Sequence, residues 1–80
     1  MDISPYVGDA LRQMRQRVGL SQEDFALRAG LDRTYVSGIE RGVRNPTVAS
    51  LQKLAEALGV TLDRIFIEAR KQAEEASRTR

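Results

Sequence analysis

At 80 residues the chain makes one domain at most, since single cores begin near this size and chains divide only when much longer. It holds no cysteine and no histidine, which removes disulfide staples, the usual Cys/His zinc sites, and nucleophilic catalysis of the Ser-His-Asp or Cys-His kind. Thirteen Lys and Arg against eleven Asp and Glu leave a net charge of +2, too slight to establish a nucleic-acid partner by itself.

Val7, Leu11, Met14 and Val18 recur at helical spacing and predict a first helix, with Ser4 as its cap, Pro5 at its first position and Gly19 as its stop. Ser21 caps a short second helix that runs to Ala29 and turns Phe25, Ala26 and Ala29 inward. Gly30-Leu31-Asp32 breaks the pattern after about two turns, and Asp32 caps a third helix over residues 33–41. Gly42 closes it, and a loop follows in which Pro46 holds Asn45 extended. Thr47 caps a fourth helix with Val48, Leu51, Leu54, Ala55 and Leu58 on its buried stripe and Gly59 as its end. Thr61 caps a fifth, which buries Leu62, Ile65, Phe66 and Ala69, with Ala73 at the margin of the stripe. No segment alternates like a strand, so the expected fold is all-α: a compact five-helix domain over residues 1–76. Residues 70–80 carry no large apolar side chain, and the end, residues 77–80, is expected to fray as a charged tail.

Two short helices joined by a three-residue turn containing glycine outline a helix-turn-helix, whose second helix enters the DNA major groove. The faces of the third helix sharpen that outline. Val36 and Ile39 define its buried side and Glu40 falls beside them, while Thr34, Ser37, Gly38 and Arg41 point away, with Arg33 and Tyr35 flanking the start. A glycine inside a helix costs about 1 kcal/mol against alanine. Placed on the outward side, Gly38 suits a helix pressed against a surface, or is a tolerated glycine on a solvated face.

The run GLSQEDFALRAGLDRTYVSGIERGVRNPTVASLQKLAEALGV, residues 19–60, resembles the DNA-binding domains of the lambda-repressor and Cro class, also called the xenobiotic-response-element class. The Gly-Leu-Ser-Gln opening of the second helix, Ala26, Gly30, Ile39-Glu40-Arg41-Gly42, Asn45-Pro46-Thr47, Leu54-Ala55 and Leu58-Gly59-Val60 carry the resemblance. Within the class, LDRTYVSGIERGVRNPT is most similar to the controller proteins of restriction-modification systems, which are equally small. The resemblance implies a compact lambda-repressor-like domain and a transcriptional regulator of double-stranded DNA.

Carried over position by position, the resemblance gives Gln22 a phosphate contact at a helix N-terminus, against the plainer reading of a solvated first-turn residue. It gives Arg33, Thr34 and Ser37 base contacts. A guanidinium can grip guanine O6 and N7 with two hydrogen bonds, and the competing role for Arg33 is a phosphate contact. Tyr35 is assigned to sugar-phosphate or base-methyl packing, or else to the rim of the core, and Arg41, Arg44 and Asn45 to the DNA backbone unless they are merely solvated. Arg15 and Glu40 match a structural ion pair of the class that locks the first helix to the third.

One recognition helix spans only a few base pairs, so the expected unit is a homodimer on a palindromic operator. Ile67 falls opposite the stripe of the fifth helix and is expected to be exposed in a monomer, which makes Leu62, Phe66 and Ile67 the expected dimer seam. The longest charge-free run, residues 45–52, falls far short of the ~20 apolar residues that span a bilayer, so no membrane partner is expected. The opening Met1-Asp2-Ile3-Ser4-Pro5 lacks the features of a secretory signal, and the expected compartment is the cytoplasm. Dispersed acids predict no carboxylate-pair catalysis, and no enzyme activity, cofactor, metal or small-molecule ligand is expected. RNA polymerase is the candidate protein partner. The alternative is an antitoxin or other small repressor whose tail, residues 70–80, occupies a partner protein.

Overall fold

The computed structural model describes residues 2–78 as five helices: α1 Ser4–Arg17, α2 Gln22–Ala29, α3 Arg33–Glu40, α4 Val48–Leu58 and α5 Leu62–Arg78. Capping chemistry explains the starts of the middle three. Ser21 accepts the Asp24 amide, Asp32 the Thr34 amide and Thr47 the Ser50 amide, each satisfying an amide that has no partner within its helix. α1 begins differently from the expectation. Ser4 is its first helical residue, and the Asp2 carboxylate accepts the Ser4 amide at 3.0 Å, so Asp2 supplies the acceptor expected of Ser4. That bond to the Ser4 backbone is the main reason the fully exposed Asp2 carboxyl sits below its ordinary pKa.

α1 lies against α5 and α3, while α2 packs on α3 and α4. Leu11, Phe25, Val36, Ile39, Leu54 and Ile65 are wholly enclosed where these helices meet. Each contributes about 1.5–3 kcal/mol by leaving water, which makes this apolar centre the main fixture of the helices around it. Two stripe residues fall outside it. Val18 is 53% exposed because α1 has ended there, and Val48 is 67% exposed as the first residue of α4, one turn before the stripe reaches the core at Leu51.

α5 continues as helix to Arg78, whereas a frayed tail was expected over residues 77–80; residues 79 and 80 lie outside the described residues. Ala69 and Ala73, four residues apart, are buried, so small side chains do the anchoring that large ones were thought necessary for. Glu68, also buried, meets Arg64 at 3.1 Å and Arg17 at 3.9 Å, tying α5 to the end of α1. The helices cross closely at Gly8, where a Cβ would run into the Ile39 carbonyl oxygen of α3. No helix among the described residues is long and apolar enough to cross a membrane.

Candidate nucleic-acid interface

The turn between α2 and α3 needs a left-handed residue to reverse the chain so quickly, and Gly30 supplies it at φ 68°. Its amide and that of Leu31 return to the carbonyls of Leu27 and Ala26, which closes the end of α2 before Asp32 opens α3. Behind the two helices stands one buried ionic hub. Arg15 donates from Nε and Nη2 to the two Glu40 oxygens at 2.8 and 2.9 Å, and from Nη1 to the Leu20 carbonyl at 2.9 Å. Hydrogen bonding to Glu40 holds the Arg15 guanidinium above its ordinary pKa and outweighs the opposing effect of burial, so the arginine stays charged. Gln22 Nε2 joins the hub by donating to Glu40 Oε1 at 3.0 Å. The amide group of Gln22, expected to face phosphate, is thereby engaged within the protein, although the residue remains at the N-terminus of α2.

This hub grips α3 from its inner side. Val36, Ile39 and Glu40 are buried, Arg33, Thr34 and Arg41 are exposed, and Ser37 is half-buried. Arg33, Thr34 and Ser37 therefore share an open polar face, with Arg41 just past the end of the helix. The described residues hold no cluster of three or more acidic side chains spaced to bind a metal.

Gly38 is a correction. Expected on the outward side, it is buried, and a Cβ there would meet Arg44 Cγ at 2.5 Å. The loop after α3 folds back over it, since the Val43 and Arg44 amides donate to the Gly38 carbonyl at 2.9 and 3.1 Å. Arg44 and Asn45 lie exposed on that loop. The Arg44 guanidinium stands over the Tyr35 ring, 5.8 Å from its centre, a distance at which the ring face attracts a cation. The Tyr35 hydroxyl shares a 3.0 Å hydrogen bond with Ser50 Oγ, either oxygen being able to donate, and accepts the Thr47 amide at 3.4 Å. Tyr35 is half-buried and packs against the core, so its ring is a rim aromatic and also the support of a loop cation. Its phenol is held below the ordinary value chiefly by the Ser50 hydrogen bond.

Ser50 was not singled out by sequence reasoning. The signal was present: a hydroxyl three residues after the Thr47 cap and beside the stripe residue Leu51, where it is buried. On α5, Leu62, Phe66 and Ile67 are all half-buried, and Leu62 and Phe66 pack against the core. Ile67, expected to be exposed, is half-buried, on a helix that packs against both α1 and α4. Phe66 lines an open cleft of about 590 Å³ together with Pro5, Gly8, Arg41 and Asn45.

A capped helix followed by a glycine turn and a second capped helix with an open polar face is the arrangement of DNA-binding helix-turn-helix regulators of transcription. The chain belongs to the helix-turn-helix family, whose model matches residues 11–65. It is 42% identical over 72 residues to the control protein C.MunI of Mycoplasma sp, covering 89% of this chain and 97% of that protein. Among solved structures it is similar to the restriction-modification controller protein C.AhdI from Aeromonas hydrophila, with 44% identity, a TM-score of 0.75, and coverage of 76% of this chain and 92% of that one. The wild-type restriction-modification controller protein C.Esp1396I superposes with a TM-score of 0.84 at 35% identity, over 94% of this chain and 97% of that one.

Proposed function

We propose that the protein is a sequence-specific regulator that binds double-stranded DNA as a homodimer and serves as the controller protein of a restriction-modification system. The observation that carries the reading is the open face of Arg33, Thr34 and Ser37, held outward by the Asp32 cap and the buried Arg15–Glu40 pair. In this reading Arg33 hydrogen-bonds a guanine edge in the major groove, Thr34 and Ser37 read the adjoining bases, and Tyr35, Arg41, Arg44 and Asn45 track the backbone. Gln22 keeps its backbone amide at the positive end of α2 for a phosphate, while its side chain braces Glu40. Similarity to controller proteins over nearly the whole chain supports the restriction-modification assignment.

A single α3 reads too few base pairs to select one operator, so the working unit is a two-fold dimer with Leu62, Phe66 and Ile67 at its seam. A protomer of 37 × 23 × 21 Å is wide enough for a pair to set two α3 helices about one DNA turn, ~34 Å, apart. The protein acts in the cytoplasm, with RNA polymerase as its partner at promoters, and performs no catalysis itself. The packing of Ala69 and Ala73 counts against the antitoxin alternative, which needs the end of the chain free until bound. Selection of bound sites from random duplex DNA tests the reading. The expected product is one enriched, two-fold-symmetric site with half-site centres ~10 base pairs apart. Recovery of unenriched DNA would refute it.

A further inference from the structure

We propose that Gly38 and Tyr35 form a socket that orders the Arg44 side chain before DNA arrives, which makes Gly38 a positioning residue for a phosphate contact and not part of the DNA-facing surface. The inference rests on the DNA-binding function proposed above and adds how one of its backbone contacts is prepared.

Three observations converge on the socket. The space a Gly38 side chain would fill is taken by the Arg44 stem, with Cγ at 2.5 Å and Cβ at 3.3 Å from the Cβ position. The Arg44 backbone is fastened at the same place, through its amide to the Gly38 carbonyl at 3.1 Å. The guanidinium then lies over the Tyr35 ring, which is itself anchored by its hydroxyl to Ser50 and Thr47 at the start of α4. An arginine on an exposed loop ordinarily samples many rotamers and loses them on binding. Here one wall is a helix backbone without a side chain, the other is an aromatic face, and between them the chain has few alternatives. The glycine that weakens α3 is thus exchanged for an ordered cation beside the reading face.

Ordering one rotamer-rich side chain in advance is worth about two- to tenfold in affinity. Gly38→Ala places a methyl group where the Arg44 stem runs, while its negative φ and helical site otherwise favour alanine. The expected result is that Gly38→Ala binds all duplex sequences about two- to tenfold more weakly, with unchanged sequence preference and undiminished thermal stability. The double variant Gly38→Ala/Arg44→Ala should bind no more weakly than Arg44→Ala alone, since both changes act through one side chain. Nitrogen relaxation at the Arg44 Nε–H of the free protein supplies a readout that folding does not imitate: restricted in wild type relative to Arg33, and released in Gly38→Ala and in Tyr35→Ala. Wild-type binding by Gly38→Ala, an equal loss in the Arg44→Ala background, or an Arg44 as mobile as Arg33 in the wild type would each overturn the socket. A wild type that binds no duplex would instead remove the DNA-binding reading, and the socket's purpose with it.

Discussion

Replacing Glu40 with alanine removes the centre of the buried hub, and its cost can be worked from the bonds it ends. Glu40 accepts from Arg15 Nε and Nη2 and from Gln22 Nε2, at 2.8, 2.9 and 3.0 Å. Its side chain is 2% exposed and that of Arg15 is 11% exposed, so water cannot replace what is lost. Arg15 would keep only the Leu20 carbonyl as partner. A buried charge stripped of its counter-ion costs about 3–5 kcal/mol, set against a total of about 4–12 kcal/mol for a domain of 80 residues. Thermal unfolding followed by far-ultraviolet circular dichroism should therefore show a severely weakened protein, with Tm lowered by about 12 °C or more. The exposed pair of Arg12 and Asp9, 2.6 Å apart with side chains 49% and 38% exposed, is the internal control: Asp9→Ala should cost no more than about 1 kcal/mol. Converting both hub partners to apolar residues, Arg15→Met with Glu40→Leu, should recover much of the loss, because no charge is left stranded. If Glu40→Ala costs no more than Asp9→Ala, the hub does not hold α1 to α3 and the reasoning is wrong.

Gly8→Ala should lose about 1–3 kcal/mol despite alanine's better helix propensity, because the neighbour in its way is the Ile39 backbone; a variant as stable as wild type would show that α1 can move aside. Ala73→Asp should destabilise by about 1–3 kcal/mol and make the end of α5 susceptible to protease, whereas no change would mean that the last turns are not anchored through Ala73. Ultraviolet titration should find the Tyr35 phenol ionising below its ordinary value of 10.0, and Ser50→Ala should move it back upward. Since the folded value is the depressed one, its linked contribution to stability is present above the unfolded pKa and lost as pH falls through the folded one, so it is absent at neutral pH. Ile67→Asp should convert a dimer into monomers in native mass spectrometry; a variant that dimerises unchanged would place the seam elsewhere.

The starts of α2, α3 and α4 were readable because capping is local chemistry: Ser21, Asp32 and Thr47 each sit beside the amide they satisfy. The partnership of Arg15 with Glu40, 25 residues apart, could be expected only because each lies at the edge of an apolar stripe and the resemblance pairs them. Gly38 was misplaced for a reason of another kind. A helical wheel describes one helix against one core, and the side that it left outward is covered by the chain's own loop returning through Arg44. Ala73, expected only at the margin of the stripe, is buried; a methyl group gives too little hydrophobic signal to show that the helix stays anchored that far. Glu68 likewise reads as a solvated charge until α1 brings Arg17 alongside it.

Whether α3 reads bases through Arg33 is decided by the affinity of wild type and Arg33→Ala for the selected site and for single-base variants of it, at one fixed salt concentration. The expected result is a loss of about 1–3 kcal/mol on the selected site and relaxed discrimination at one base pair per half-site. Equal weakening on every sequence, with the wild-type order of preference intact, would contradict it.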